Sequence, residues 1–250
     1  MARRALHPGV DPDDDLSPFR DVNVWVFDLD DTLYAPTPEL AAIYDERMRS
    51  FIRRELNLSA AEADRVRQDL YGRYGATVRG LMTEHGVSPD AYLAYVHDID
   101  HSAIAPNPEL AEAIAALPGP RYVLTNSPLH HAGKVLARLG MSDLFAGIFD
   151  FARSGQYAKP HPNVYARLIA ETGADPRRTA IFEDLARNLI EPRRLGMATT
   201  LVLPPGTRDV FRASWDLEKG PEPAAHFLTE NLAGFLRAVG EETSTHDRPA

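Results

Sequence analysis

The chain has 250 residues, 44% of them apolar, and its 27 basic and 36 acidic side chains leave a net charge of −9, so either one large domain or two small ones can bury a core without covalent staples. The absence of cysteine excludes disulfide frameworks, zinc ribbons, iron–sulfur clusters and thiol nucleophiles. The acidic balance argues against nucleic-acid polymers as partners, and no run approaches the roughly 18 apolar residues of a membrane helix.

Residues 1–17 read as a tail that passes from Arg3 and Arg4 straight into Asp11, Asp13, Asp14 and Asp15; it lacks the apolar segment of a secretory leader, and the expected compartment is the cytoplasm. Asn23-Val24-Trp25-Val26-Phe27, β-branched and aromatic, ends abruptly in Asp28 and predicts a buried strand. Residues 36–108 contain no strand-like run and read as a separate helical module. Within it Leu40, Ile43, Tyr44, Met48, Phe51 and Ile52 continue one apolar stripe that stops near Asn57. Ser59 with Glu62 forms a capping-box signature for the next helix, and Pro89 opens another that carries Tyr92, Leu93 and Val96.

Strand-like runs resume at 121–125, 147–151, 179–182 and 199–203. Helical spacing separates them, at Val135/Leu136/Leu139, Val164/Leu168/Ile169 and Leu185/Leu189/Ile190. This alternation predicts an α/β fold with a parallel sheet covered on both faces, which is why the strands read as continuous apolar runs. Beyond Leu203 the Pro/Gly-rich stretch to Pro223 reads as loop, Thr229 with Glu230 is expected to cap a last helix through Leu232, Phe235, Leu236 and Val239, and residues 241–250 read as a polar tail. The expected organisation is a core of residues 18–35 and 109–240, with the insert of residues 36–108 between the first and second strands, above the sheet edge where ligands bind.

The strongest chemical signal is Asp28-Leu29-Asp30-Asp31-Thr32-Leu33, which brings at least two carboxylates to one strand end. Such charges raise each other's pKa unless a cation neutralises them, and oxygen-only ligands suited to phosphate chemistry point to Mg²⁺. A strand followed by an acidic turn is the plainer alternative. Other strand ends also carry polar groups: Thr125-Asn126 after the second, Lys159-Pro160 on a rigid loop, and Glu183-Asp184 with Asn188 one helical turn beyond. Each suits one phosphate group.

In these four motifs, Asp28-x-Asp30-x-Thr32, Thr125, Lys159 and Glu183-Asp184, the chain resembles the haloacid dehalogenase superfamily, whose fold is a Rossmann-like core with an inserted cap. Four longer strings resemble its pyrimidine 5′-nucleotidase branch: Asp28 through Tyr34, Arg79-Gly80-Leu81-Met82 through His85-Gly86-Val87, Tyr95-Val96-His97-Asp98-Ile99-Asp100, and Phe182-Glu183-Asp184-Leu185-Ala186-Arg187-Asn188-Leu189. The resemblance implies a phosphatase acting on a small phosphate monoester, a pyrimidine nucleoside 5′-monophosphate such as UMP, CMP or dTMP. It makes Asp28 the nucleophile that forms an aspartyl-phosphate and Asp30 the acid and base. It gives Mg²⁺ to Asp28, the Asp30 carbonyl and Asp184, and phosphate charge to Lys159, Thr125 and Asn126, with Glu183 and Asn188 in support. Two positions depart from the family: His161 stands where an Asp is common, and Asn188 where many relatives have a second Asp.

Other features compete for a role. His97 and His101 are four apart and, on a helix, can share a transition metal, or else belong to a polar segment facing the cleft. His130-His131 reads as the start of a helix, and Tyr71, Tyr74, Tyr92 and Tyr95 as insert packing or as platforms for a base. No dinucleotide, Walker, nucleophile-elbow or zinc-protease string occurs. A sugar-phosphate phosphatase or phosphomutase fits the core motifs equally well, whereas a dehalogenase needs neither Asp30 nor Asp184. A regulatory phosphate-binding protein without turnover is expected to lack Asp28, Asp30, Lys159 or Asp184, and all four are present.

Overall fold

The computed structural model describes residues 9–11, 14–35, 37–207 and 225–246. Strand β1, Val24–Phe27, is buried at every position because both its faces are apolar: Trp25 and Phe27 point to one side of the sheet, Val24 and Val26 to the other. It pairs in parallel with β2 (Arg121–Leu124) and with β4 (Thr179–Glu183). Adding β3 (Gly147–Phe149), β5 (Ala198–Val202) and β6 (Phe227–Thr229) gives a six-stranded, wholly parallel sheet in the order β3-β2-β1-β4-β5-β6. The chain therefore leaves β1 towards one edge and returns to its other side at β4. The carboxyl end of β1 lies at this reversal, the place where open α/β sheets form a crevice.

Helices α1–α4 are Pro38–Leu56, Ala60–Tyr74, Thr77–His85 and Pro89–Val96. They are followed by α5 (Pro108–Ala115), α6 (Leu129–Leu139), α7 (Pro162–Thr172), α8 (Ala186–Leu195) and α9 (Leu232–His246). Trp25, Phe27 and Phe182 pack with α5, α6 and α9 on one face of the sheet, and the Phe27 and Phe182 rings stack 4.8 Å apart. Val26, Ile181 and Leu201 pack with α7 and α8 on the other. Helices α1–α4 have their own apolar cluster, including Phe51, Ile52, Leu70, Leu81 and Tyr92, and it rests on Phe151 and Ala158 of the loop after β3. The Ser59/Glu62 capping box forms, and Asn57 ends α1 in the left-handed conformation. Gly80 lets α3 press against α2, since a Cβ there would lie 2.7 Å from Leu70. No helix among the described residues is long and apolar enough to cross a membrane.

Several expectations need correction. Strand β3 stops at Phe149 because Asp150 turns the chain, accepting hydrogen bonds from Leu129 N (3.0 Å) and Arg153 N (2.9 Å). Phe227–Thr229 is a sixth strand, too short to show a period, so Thr229 is not the helix cap. Asn231 caps α9 instead, accepting from Gly234 N at 2.9 Å. Parts of both stretches read as tails belong to the fold: Leu16 is fully buried in the core, and α9 continues to His246. Residues 208–224, most of the stretch read as loop up to Pro223, lie outside the described residues, as do residues 1–8 and 247–250.

Candidate active site

Asp28 continues the sheet ladder one residue past β1, its N–H donating to Phe182 O at 2.9 Å, so its carboxylate leaves the sheet at a fixed height. The chain then turns over itself with Asp31 in the left-handed region (φ 63°), a conformation Asp tolerates, and this returns Tyr34 to Asp30. On the neighbouring strands Thr125-Asn126 follows β2, and Glu183-Asp184 ends β4. Lys159 comes from the loop before α7. The residues expected from sequence thus converge on the carboxyl edge at the sheet's reversal point.

Lys159 is almost wholly buried and its Nζ lies 2.7 Å from Asp28 Oδ1 and 2.8 Å from Glu183 Oε1. Burial alone would depress an ammonium, but the two carboxylates outweigh it and raise its pKa well above the ordinary lysine value. Glu183 is fully engaged: Oε1 accepts from Lys159 and from Asn188 Nδ2, while Oε2 accepts from Leu185 N at 2.9 Å. Although burial disfavours its charge, Lys159 holds Glu183 below the usual carboxylate range. Asn126 clamps the backbone of Lys159, its Oδ1 accepting from Lys159 N at 2.7 Å and its Nδ2 donating to Lys159 O at 3.4 Å. Thr125 Oγ1 accepts from Ser127 N at 3.0 Å. Asn126 and Asn188 therefore position other groups of the site, and His161 caps α7 by accepting from Asn163 N at 3.2 Å.

Asp28, Glu183 and Asp184 bring one carboxylate oxygen each to within 4.8 Å of one another. Burial first, then the Glu183 charge, pushes the Asp28 carboxyl up to about 8, and the same two causes push Asp184 up to about 10. Lys159 alone does not balance three carboxylates in this position, so ionising all of them calls for further positive charge. The donors are all hard oxygens, which suits a hard divalent cation of the Mg²⁺, Ca²⁺ or Mn²⁺ kind. Among the described residues this is the cluster able to hold a metal.

Asp30 occupies a different environment. Its Oδ1 accepts from Tyr34 OH at 2.7 Å and His131 Nε2 at 2.8 Å, and its Oδ2 accepts from Ser127 Oγ at 2.6 Å. Burial opposes its charge, but His131 and Ser127 outweigh that and hold Asp30 well below the ordinary carboxylate range. Sequence reasoning missed Ser127 here, gave Tyr34 no role beyond its place in the first motif, and read His131 as the start of a helix. Ser127 had a usable signal, being the next polar residue beyond Thr125-Asn126; His131 does stand in the first turn of α6, and its side chain turns back to Asp30.

Asp30 opens on a cavity of about 370 Å³ between the carboxyl edge and α1–α4, lined also by Tyr44, Met48, Tyr71, Tyr92 and His97. Tyr71 and Tyr92 thus face the site as well as their own helices, whereas Tyr95 packs on Phe51 and Tyr74 bonds Glu84. The shared-metal reading of His97 and His101 is not supported: α4 ends at Val96, so the two do not share a helix face. His97 donates through Nδ1 to Leu93 O, and His101 bonds His131. His130 is exposed.

The family pattern of the haloacid dehalogenase-like hydrolases matches residues 22–196. Phosphate metabolism protein 8 of Saccharomyces cerevisiae is 27% identical over 198 residues, 72% of this chain and 61% of that protein. Hexitol phosphatase B of Escherichia coli K12 is 34% identical over 79 residues, 32% of this chain and 35% of that protein. The chain thus spans about three-fifths and one-third of these curated relatives. Among solved structures, L-2-haloacid dehalogenase from Xanthobacter autotrophicus with chloropropionic acid covalently bound superimposes with a TM-score of 0.55 at 18% identity, covering 87% of this chain and 98% of that one. A HAD phosphatase from Thermococcus onnurineus gives 0.56 at 16% identity, covering 88% and 98%. At such identity these two structures speak for the fold alone.

Proposed function

This chain belongs to the haloacid dehalogenase-like hydrolase family, and on that premise we propose that it is a Mg²⁺-dependent phosphatase whose substrates are pyrimidine nucleoside 5′-monophosphates. The observation that carries the reading is the pairing of two unlike carboxyls: Asp28, buried 2.7 Å from Lys159, and Asp30, hydrogen-bonded and facing the cavity. Position divides their tasks: Asp28 lies against the buried ammonium, and Asp30 faces the cavity through which a leaving group must depart.

Asp28 attacks phosphorus, its oxygen forming a bond to phosphorus as the bond from phosphorus to the sugar 5′-oxygen breaks; Asp30, ionised at rest, takes a proton from the bound phosphate monoanion and gives it to the departing oxygen. Asp30 then takes a proton from water, whose oxygen bonds to phosphorus, and the bond to Asp28 breaks to release phosphate. Lys159 and Thr125 receive phosphoryl charge, while Glu183 and Asn126 hold Lys159 in place. Asp28, the Asp30 carbonyl and Asp184 would hold Mg²⁺, which would supply charge neutralisation at the phosphoryl oxygens. A dehalogenase needs no second acid at position 30 and no carboxylate cluster, so Asp30 and Asp184 both speak for phosphate ester hydrolysis.

Base preference rests on the nucleotidase-like strings and on a cavity near the lower end of the roughly 300–1,000 Å³ range of small-molecule sites, with Tyr44, Tyr71 and Tyr92 in its wall. The partial likeness to hexitol phosphatase B makes sugar phosphates the competing class. Hydrolysis of UMP, CMP, dTMP, AMP and hexitol phosphates, with EDTA and with Mg²⁺ restored, tests the proposal. Pyrimidine nucleotides should turn over fastest and only with the metal. Equal rates on AMP would remove the base assignment, faster hexitol phosphates the nucleotide assignment, and no turnover with Mg²⁺ the enzyme.

A further inference from the structure

Asp30 accepts three side-chain hydrogen bonds, and this support leads back to a cluster of three histidines that the proposed reaction does not use. His131 is fully buried, and its ring is held from both ends. Nε2 meets Asp30 Oδ1 at 2.8 Å and Nδ1 meets His101 Nε2 at 2.9 Å. A carboxylate only accepts, so Nε2 of His131 bears the proton it shares with Asp30, while Nδ1 is paired with His101. The ring has no freedom to tilt, because Tyr44 meets it edge-on at 5.9 Å and His97 lies 4.7 Å away, ring centre to ring centre. His97 also reaches 3.2 Å from Ser127 Oγ, the group that holds the other oxygen of Asp30. The Asp30 side chain still keeps about a third of its exposure, on the cavity side.

We propose that His131, steered by His101, is a positioning residue that aims the Asp30 carboxyl at the leaving oxygen. The inference concerns direction and not charge, and it rests on the reading of Asp30 as the proton donor. A rotatable carboxyl two single bonds from the backbone samples many directions, and a donor misplaced by about 1 Å can cost about 100-fold in rate. The Tyr34 and Ser127 hydroxyls can each swing about their own C–O bonds; His131 adds a third bond to Asp30, from a ring that is itself held at both ends.

The test compares two leaving groups. UMP, or whichever alkyl phosphate is hydrolysed fastest, leaves as an alkoxide that needs the Asp30 proton, whereas p-nitrophenyl phosphate releases a stabilised phenolate that does not. The readout is kcat/KM, which ends at departure of the first product, so the shared hydrolysis of the Asp28 ester does not enter. His131→Asn keeps a partner for His101 but is too short for Asp30; His131→Gln extends an amide N–H towards the position of Nε2. We expect His131→Asn to lose about 10–100-fold on the alkyl phosphate and under about threefold on p-nitrophenyl phosphate, and His131→Gln to recover most of the loss. Equal losses on both substrates, no loss, or no recovery by Gln would overturn the positioning role while leaving the proposed function intact. Asp30→Asn is the control: if it slows both substrates equally, the donor role of Asp30 fails and the inference fails with it.

Discussion

The ammonium of Lys159 is shared between Asp28 and Glu183, at 2.7 and 2.8 Å, and all three side chains are nearly or completely buried. A cation so placed is structural as well as functional, because removing it leaves two carboxylates facing each other away from water. Breaking a buried pair by deleting one partner costs about 3–5 kcal/mol. Lys159→Met should therefore destabilise the fold by about 3 kcal/mol, read from urea unfolding, and abolish turnover. A variant as stable as the parent would mean that Asp28 and Glu183 relax or take up protons at little cost.

Asp28→Asn makes the opposite change at the same pair. The amide oxygen can still accept from Lys159, while the charge repelled by Glu183 and Asp184 is gone. The melting temperature should stay equal or rise, and phosphatase activity should fall at least about 10³-fold, since an amide is a poor nucleophile. Turnover near the parental rate would end the nucleophile assignment.

Metal binding should be visible without turnover. A ligand that binds only the folded state stabilises it by about 2.7 kcal/mol at a concentration of 100 times its Kd. For a chain of this size that is a rise of roughly 5–10 °C in Tm. Mg²⁺ added to EDTA-treated protein should produce such a rise, and Asp184→Asn should abolish most of it. Equal shifts in both proteins would place the ion elsewhere than the Asp28, Glu183 and Asp184 cluster.

What the sequence made legible follows from the range of the interactions. Strands such as Val24–Phe27 announce themselves because a strand buried on both faces is apolar throughout, and the carboxylates stand out because they follow such runs directly. The β4 end, Glu183-Asp184, is legible in the same way. Phe227–Thr229 is not, since three residues have no measurable period and join the sheet only through β5. The Asp30 environment is hidden for another reason: Tyr34, the Ser127/His131 segment and His97 come from three separate places in the chain, and only the packing of α4 and α6 over the sheet edge brings them together. His97 and His101 were legible as a pair, but the helical spacing that pairs them requires a helix running through residue 101, and α4 ends at Val96.

His97 gives a stability prediction with a definite sign. Burial first, and then the neighbouring His131, push its pKa down to about 4, although Asp30 and the Leu93 carbonyl pull the other way and exposed His130 adds a smaller downward push. In the unfolded chain the same imidazole takes its proton near pH 6.5. Between these values the unfolded state binds more protons than the folded one, so unfolding free energy increases with pH across that window. Acidification from about pH 6.5 to 4 should thus remove up to about 3 kcal/mol attributable to His97, and little more of its share should be lost below pH 4. Urea unfolding of the parent and of His97→Gln across this range isolates the contribution, because the variant keeps an amide that can reach Ser127 but has nothing to protonate. The difference in stability between the two proteins should narrow as pH falls through the window; a difference that stays constant would show that His97 titrates near its unfolded value and that its burial in the cluster is less complete than its contacts with Leu93 and Ser127 require.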